Sequence, residues 1–292
     1  MVHASQGGVI VPTETPSPAP VPASVPGFDL GNDLPRLQGW ALILGASSGF
    51  GRATALALAA AGMNIAGVHL DRRATLAQAE ETRAAIQAAG REALFFNLNA
   101  AAAETRAQVT AALRERGAKI RVLLHSLAFG SLKPFIAERP EDALTQPQLE
   151  MTLDVMANSL VYWVQDLVRA DLFAPSARVF AMTSAGSARS WFSYGAVSAA
   201  KAALESYCRQ LALELAPRGI TVNALRAGVT DTPALRKIPG HEEMLEEARR
   251  RNPSGRLTQP EDVARAIVAL TSSGTGWITG NVINVDGGEF IA

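Results

Sequence analysis

Residues 40 to 71, WALILGASSGFGRATALALAAAGMNIAGVHLD, restrict this chain more than any other stretch. A short apolar run, Ala41 to Leu44, enters a glycine-rich turn; an Ala/Leu-rich helical run follows, ends at Gly62, and gives way to a second apolar run. Strand, helix and strand within about thirty residues make a crossover unit with parallel strands. Gly45, Gly49 and Gly51 lie at its first turn in the pattern G-x3-G-x-G. Glycine there keeps the turn tight and lets backbone N–H groups and the helix start approach a pyrophosphate, so the unit predicts a dinucleotide site. Asp71, twenty residues after Gly51, ends the second strand. A carboxylate at that point accepts hydrogen bonds from the adenosine ribose and repels a 2′-phosphate, which favours NADH. Arg72 and Arg73 oppose that preference, since either could pair with a phosphate if Asp71 turned away.

The alternation continues along the chain. Helical spacing runs from Thr75 to Ala89 and stops at Gly90; REALFFNLN reads as a strand with Asn97 and Asn99 at its tip; Glu104 to Arg116 reads as a helix; and IRVLLHSLAFG is a fourth strand ending in a loop. An irregular segment, Lys133 to Pro147, precedes a long helical pattern from Gln148 to about Phe173, and Ala177 to Met182 is a fifth strand. GITVNALRAGVTDTPAL gives a sixth strand and a loop; Pro233 to Arg256, charged and partly helical, has the look of a flap; Pro260 to Leu270 is a helix; and GNVINVDGG closes the chain with a strand and a turn. A chain of 292 residues, 48% hydrophobic, can bury one large α/β core. The expected fold is a Rossmann-type doubly wound parallel sheet in a single domain, covered on both faces.

That domain spans residues 36–292. Residues 1–35 contain no Lys or Arg and carry prolines at 12, 16, 18, 20, 22 and 26, the composition of a disordered, polyproline-leaning tail and not of a secretory signal. Lys plus Arg number 27 and Asp plus Glu 27, which gives no electrostatic case for nucleic acid, and no apolar run is long enough to span a membrane. A single cysteine, Cys208, allows no internal disulfide and no metal cluster; it reads as a buried apolar residue, and the composition suits a cytoplasmic location.

Between Thr183 and Glu205 the chain reads TSAGSARSWFSYGAVSAAKAALE. Tyr194 precedes Lys201 by seven residues, two helical turns, which would set both on one face roughly 10 Å apart along the axis. Ser184 lies ten residues before the tyrosine. His125 and Ser126 stand where the fourth strand meets the cofactor edge of such a sheet, and the apolar strand around His125 favours a structural role for it.

LGASSGFG, the tyrosine–lysine stretch, VNALRAGVTDT and INVDGG, taken together, resemble the short-chain dehydrogenase/reductase superfamily over about residues 38 to 292. Ordinary members carry Y-x3-K; here Val197 fills that tyrosine position, and the Y-x6-K spacing is similar to the bacterial enoyl-acyl-carrier-protein reductases. The commonest of these have a second tyrosine ten residues before the active one. Ser184 in its place, with TDTPALRKIPG and NPSGRL, resembles the triclosan-tolerant kind. Met156 stands where many relatives have an asparagine that completes a proton relay, with Asn158 two residues on as either a structural group or a shifted replacement.

The resemblance implies NAD(P)H-dependent reduction of a trans-2-enoyl thioester carried on acyl-carrier protein or CoA, by a homotetramer of fatty acid synthesis. Tyr194, Lys201 and Ser184 would be the catalytic set: Tyr194 hydrogen-bonding the developing enolate oxygen, Lys201 holding the nicotinamide ribose and favouring the tyrosinate, Ser184 adding a second bond to the substrate oxygen. Cofactor contacts would come from Gly45, Ser47, Ser48, Gly49, Phe50 and Gly51 at the first turn, from Asp71, Arg72, Asn99 and Ala100 beside the adenosine, and from Ser126, Leu127, Ala128, Lys201, Gly228, Thr230 and Thr232 toward the nicotinamide. Ala128, Phe129 and Tyr194 would meet the substrate. Asp71 leans to NADH, whereas the relatives with serine at the Ser184 position lean to NADPH.

In ketone reduction the protonated oxygen sits on the carbon that takes hydride, whereas in an enoyl thioester it lies several bonds away. Moving the tyrosine three residues toward the helix start carries it roughly 4 to 5 Å farther from the lysine, in the required sense. A 3-oxoacyl or hydroxysteroid-type dehydrogenase, with Ser184 as its serine, is the alternative in the same fold; a regulatory dinucleotide-binding protein is the alternative outside catalysis. Arg249, Arg250 and Arg251, with Arg236 and Lys237, would either steer an acidic carrier protein or form a solvated face balanced by Glu242, Glu243, Glu246 and Glu247.

Overall fold

The computed structural model describes residues 35–292; the tail expected over 1–35 lies, apart from Pro35, outside the described residues. Seven strands, β1 (Trp40–Leu44), β2 (Asn64–His69), β3 (Ala93–Asn97), β4 (Ile120–His125), β5 (Phe173–Thr183), β6 (Thr221–Ala227) and β7 (Val282–Val285), form one parallel sheet in the order β3-β2-β1-β4-β5-β6-β7. Strand order therefore reverses between β1 and β4, and a crevice opens there beyond the carboxyl ends of the strands.

Two cores cover the faces. Along β1, Trp40, Leu42 and Leu44 enter one core and Ala41 and Ile43 the other, the two-residue alternation of a strand buried on both sides. Helices α1 (Gly49–Ala61), α2 (Leu76–Ala88) and α8 (Pro260–Leu270) pack on one face. Helices α3 (Ala103–Glu115), α5 (Ser159–Arg169) and α6 (Gly195–Leu215) pack on the other, where the fully buried Trp163 donates its indole N–H to the Ala100 carbonyl (2.8 Å). The remaining helices are α4 (Gln146–Leu153), opened by a Thr145–Gln148 capping box, and α7 (His241–Arg251) in the charged segment.

The structure corrects the long helix expected from Gln148 to Phe173. It is interrupted by a π-turn at Asp154–Asn158 and ends at Arg169. Ser159 donates its hydroxyl to the Val155 carbonyl (2.8 Å) while holding Nε2 of His125 (2.8 Å), side-chain competition of the kind that loosens a helical ladder. Phe173 opens β5 instead, four residues ahead of the expected strand start at Ala177. Pro175 and Ser176, the latter at φ 56°, interrupt the pairing with β4, whose register jumps from Ile120↔Phe173 to Val122↔Arg178.

Helix α1 reaches the sheet because Gly51 has no side chain: a Cβ there would stand 1.9 Å from the Gly45 carbonyl oxygen. Gly51→Ala should cost about 1–3 kcal/mol, lowering Tm by roughly 3–10 °C in a thermal melt while opening the β1–α1 turn.

Candidate active site

Residues at the carboxyl ends of β1, β4, β5 and β6 surround a cavity of about 360 Å³. Phe50 enters it from α1; Ser126, Leu127, Ala128 and Phe129 from the loop after β4; Ser184 from the end of β5; Tyr194 from the start of α6 and Lys201 from within it; and Gly228, Thr230 and Thr232 from the loop after β6. Sequence-expected nicotinamide and substrate residues thus meet in one place. The residues expected at the adenosine lie outside that cavity, around the β1–α1 turn and the tips of β2 and β3. There Ser48 is the N-cap of α1, Asp71 follows β2 and Arg72 is exposed; Asn99 accepts the Ala101 N–H (3.0 Å) and Ala100 is buried with its carbonyl on Trp163.

Tyr194 is not within the helix but at its N-cap, and Gly195 begins the first turn. Gly186 makes room for its ring, and Gly195 for the neighbouring Phe135. A Cβ on Gly186 would fall 2.5 Å from Cε1 of Tyr194, and one on Gly195 would fall 2.6 Å from the Phe135 ring. Burial raises the Tyr194 phenol above its ordinary value, and the Ser184 hydroxyl pulls the other way. Burial thus works toward the protonated phenol, against the pull toward tyrosinate expected of the Lys201 charge. Ser184 Oγ is buried and, although close to Tyr194, completes no hydrogen bond, so its hydroxyl is left without a partner.

Lys201 is buried, and Nζ donates to the Met182 carbonyl (2.8 Å). Desolvation lowers its ammonium to about 8, against the field of Glu205 one turn along the helix. Glu205 is fixed by the Thr183 hydroxyl (2.7 Å) and Arg226 (3.4 Å). Nothing in the chemistry of the motif announced Glu205, yet its four-residue offset from Lys201 placed it on the same helical face.

Val197 and Met156, 4% and 2% exposed, line the same cavity on either side of Gly130, whose Cβ would stand 3.1 Å from Val197 Cγ2 and 3.0 Å from Met156 Sδ. Asn158 accepts the Tyr207 hydroxyl at its Oδ1 (2.9 Å), which favours the structural of its two readings. His125 is structural, fully buried and held by Ser159. Burial, with the Lys201 charge, drives its imidazole down to about 3. Cys208 is buried, its thiol pushed up to about 12 by desolvation.

Sequence reasoning passed over Trp191, whose indole N–H donates to the Pro239 carbonyl (3.2 Å) and so joins the Tyr194 loop to the charged segment. That segment does lie at the cavity, through Leu235, Ile238, Met244 and Ala248. Most of its arginines are engaged locally: Arg236 with Asp231 (2.7 Å), Arg250 with Glu247, and Arg251 with the Glu289 and Ala292 carbonyls. Glu289, also overlooked, is buried with its carboxyl raised by desolvation and accepts the Val229 N–H (3.0 Å).

The residues present fit a nicotinamide dinucleotide. At Gly45 and Gly51 a Cβ would collide with backbone oxygens (2.4 Å from Ser126 and 1.9 Å from Gly45), the Lys201 ammonium keeps two donors beyond the Met182 carbonyl, and Thr230 and Thr232 are buried at the cavity edge. Fold and site together define a Rossmann-type NAD(P)H-dependent oxidoreductase. The family model described as enoyl-(acyl carrier protein) reductase matches residues 45–289. A 1-cyclohexenylcarbonyl-CoA reductase of Streptomyces collinus is 31% identical over 252 residues, 85% of each chain. A 3-oxoacyl-[acyl-carrier-protein] reductase of Synechocystis sp. is 32% identical over 249 residues, 85% of this chain and 95% of that one. The NADH enoyl-[acyl-carrier-protein] reductase of Aquifex aeolicus VF5 superposes with a TM-score of 0.76 at 24% identity, covering 87% of this chain and 97% of its own. The chain belongs to the short-chain dehydrogenase/reductase superfamily and resembles its enoyl-acyl-carrier-protein reductases. Among the described residues, no helix is long and apolar enough to cross a membrane.

Two pH dependences follow. Lys201 is a cation only below about 8, so kcat/KM should fall as pH rises through that value, and Glu205→Gln, which removes a field that raises Lys201, should move the break to lower pH in a pH–rate profile. His125 takes a proton near 6.5 when unfolded but only near 3 when folded, so the native state loses stability as pH drops through that window. Between pH 7 and pH 4, unfolding free energies from denaturant titrations should fall with pH more shallowly for His125→Asn than for the wild type, by up to one proton's slope, about 1.4 kcal/mol per pH unit.

Proposed function

We propose that the protein is an enoyl thioester reductase, transferring hydride from NAD(P)H to Cβ of a trans-2-enoyl group. One observation carries the proposal: the positions that supply a hydroxyl and a relay amide to an ordinary ketone-reducing site hold Val197 and Met156, both buried and apolar, while the phenol stands farther out at the helix N-cap. A carbon that accepts hydride but carries no oxygen needs no donor beside it. When bound, the reduced nicotinamide supplies the hydride. Tyr194, as the phenol that burial favours, donates a hydrogen bond and then its proton as negative charge develops on the thioester oxygen. Ser184 offers a second donor to that oxygen. Lys201, fixed by the Met182 carbonyl, holds the nicotinamide ribose hydroxyls. The apolar walls of Phe129, Leu132, Met156 and Val197 suit an acyl chain and exclude water.

The thioester would be carried on acyl-carrier protein or CoA, in line with the CoA thioester in the name of the Streptomyces relative. A cytoplasmic homotetramer of fatty acid synthesis is the corresponding assembly, taken from the resemblance. A second reading, 3-oxoacyl reduction, is favoured by Ser184 at the end of β5 and by the name of the Synechocystis relative, but it lacks its tyrosine at position 197.

Crotonyl and acetoacetyl thioesters assayed side by side with NADH and NADPH separate the two. Crotonyl reduction should dominate, and Tyr194→Phe should lower its kcat by roughly 10²–10⁴-fold with the melting profile retained. Near-wild-type crotonyl turnover in that variant would sink the assignment, and exclusive acetoacetyl turnover would establish the second reading.

A further inference from the structure

The tip of β2 carries a contact that neither the nicotinamide chemistry nor the glycine turn requires. His69, the last residue of the strand, is buried, and its Nδ1 lies 2.8 Å from Oδ2 of Asp71. Because an ionised carboxylate only accepts, the proton sits on Nδ1 and His69 is the donor. The imidazole is itself held: its ring lies 5.9 Å from that of Phe95, tilted by 53°. Phe95 in turn closes over Gly67, where a Cβ would stand 3.0 Å from Phe95 Cζ and 2.8 Å from the Ala46 Cβ in the glycine turn. A packed path therefore runs from the pyrophosphate turn to His69.

Asp71 is restrained from the main chain as well. Asn97 at the tip of β3 accepts the Asp71 N–H (2.8 Å) and donates to the Asp71 carbonyl (3.0 Å). The Asp71 side chain is 11% exposed. Burial pushes its carboxyl up, yet hydrogen bonds involving Thr75, Ser47 and His69 together hold it below the usual carboxylate range. Asp71 is thus an anion whose side chain cannot turn away without breaking the His69 contact. Arg72 and Arg73 are exposed, and their use as phosphate partners would require that movement.

We propose that His69 is a positioning residue for cofactor selection: together with Ser47 and Thr75 it holds the Asp71 carboxylate at the end of β2, at the adenosine end of the expected dinucleotide site, so that the site selects NADH over NADPH. The proposal rests on the dinucleotide reading above. A 2′-phosphate brought to this point meets a fixed negative charge that the two arginines cannot displace.

The test uses the full chain without nucleotide and reads binding, not turnover. Calorimetric titration with ADP-ribose and with 2′-phospho-ADP-ribose gives a ratio of dissociation constants for the wild type, His69→Phe, His69→Leu, His69→Gln and Asp71→Ala. Phenylalanine keeps the ring against Phe95 but removes the donor, leucine removes it with a smaller side chain, and glutamine keeps an amide donor. Wild type should favour ADP-ribose. H69F and H69L should each lower the preference on the order of tenfold, the size expected of one charge-assisted hydrogen bond, and H69Q should restore most of it. A wild-type ratio in folded H69F or H69L, with the ratio collapsed in D71A, overturns the role of His69 and leaves the dinucleotide reading standing. A wild-type preference for the phosphorylated ligand overturns the selection itself. Failure of the wild type to bind either ligand overturns the dinucleotide reading beneath both.

Discussion

A buried ammonium needs partners, and the way Lys201 finds them organises the site. Its charge lies at the cavity with Nζ on the Met182 carbonyl, near the end of β5. Behind it stands Glu205, tied to Thr183 on that strand and to Arg226 on β6. Arg226 lies 4.2 Å over the Phe290 ring, and Arg189, from the loop before Tyr194, reaches the same ring and the Phe290 carbonyl. One lysine thereby joins two strands, α6 and the segment after β7 into a single arrangement of compensated charges. Without Glu205 the same burial would drive the ammonium further toward its neutral form.

Around that anchor the cavity is divided by polarity. One part of its wall, Val197 and Met156 against Gly130, offers no proton, and another, beside Gly186, holds the buried hydroxyls of Ser184 and Tyr194. Tyr194 reaches that second part because it caps the helix without belonging to it, and because Gly186 and Gly195 leave space for its ring and for Phe135. Chemistry that separates the hydride-accepting carbon from the proton-accepting oxygen matches that division. The charged segment adds an apolar side, and Trp191 ties it to the loop that carries Tyr194.

Much of the fold was legible because strands buried on both faces leave nearly continuous apolar runs, and helices between them stop at glycines such as Gly62 and Gly90. The long helix was misread at Asp154–Asn158 because its hydrophobic period continues through the π-turn, where Ser159 bonds the Val155 carbonyl, a contact that sequence spacing does not reveal. The start of β5 was misread because Pro175 and Ser176 resemble a loop, yet Phe173 pairs with Ile120 before them. Asn158 stayed undecided in sequence, since its partner Tyr207 is 49 residues away and joins it only through the packing of α6 on the π-turn.

The residues alone determined the parallel alternation, the glycine turn, the tyrosine–lysine interval and the apolar substitutes at 156 and 197, because period, backbone freedom and residue chemistry are local properties. Only tertiary structure decided charge states and directions: that burial favours the Tyr194 phenol, that Lys201 sits near 8, that Asp71 is held by His69, and that Arg251 turns inward. Those depend on desolvation and on partners brought together from distant parts of the chain, and no local pattern encodes them.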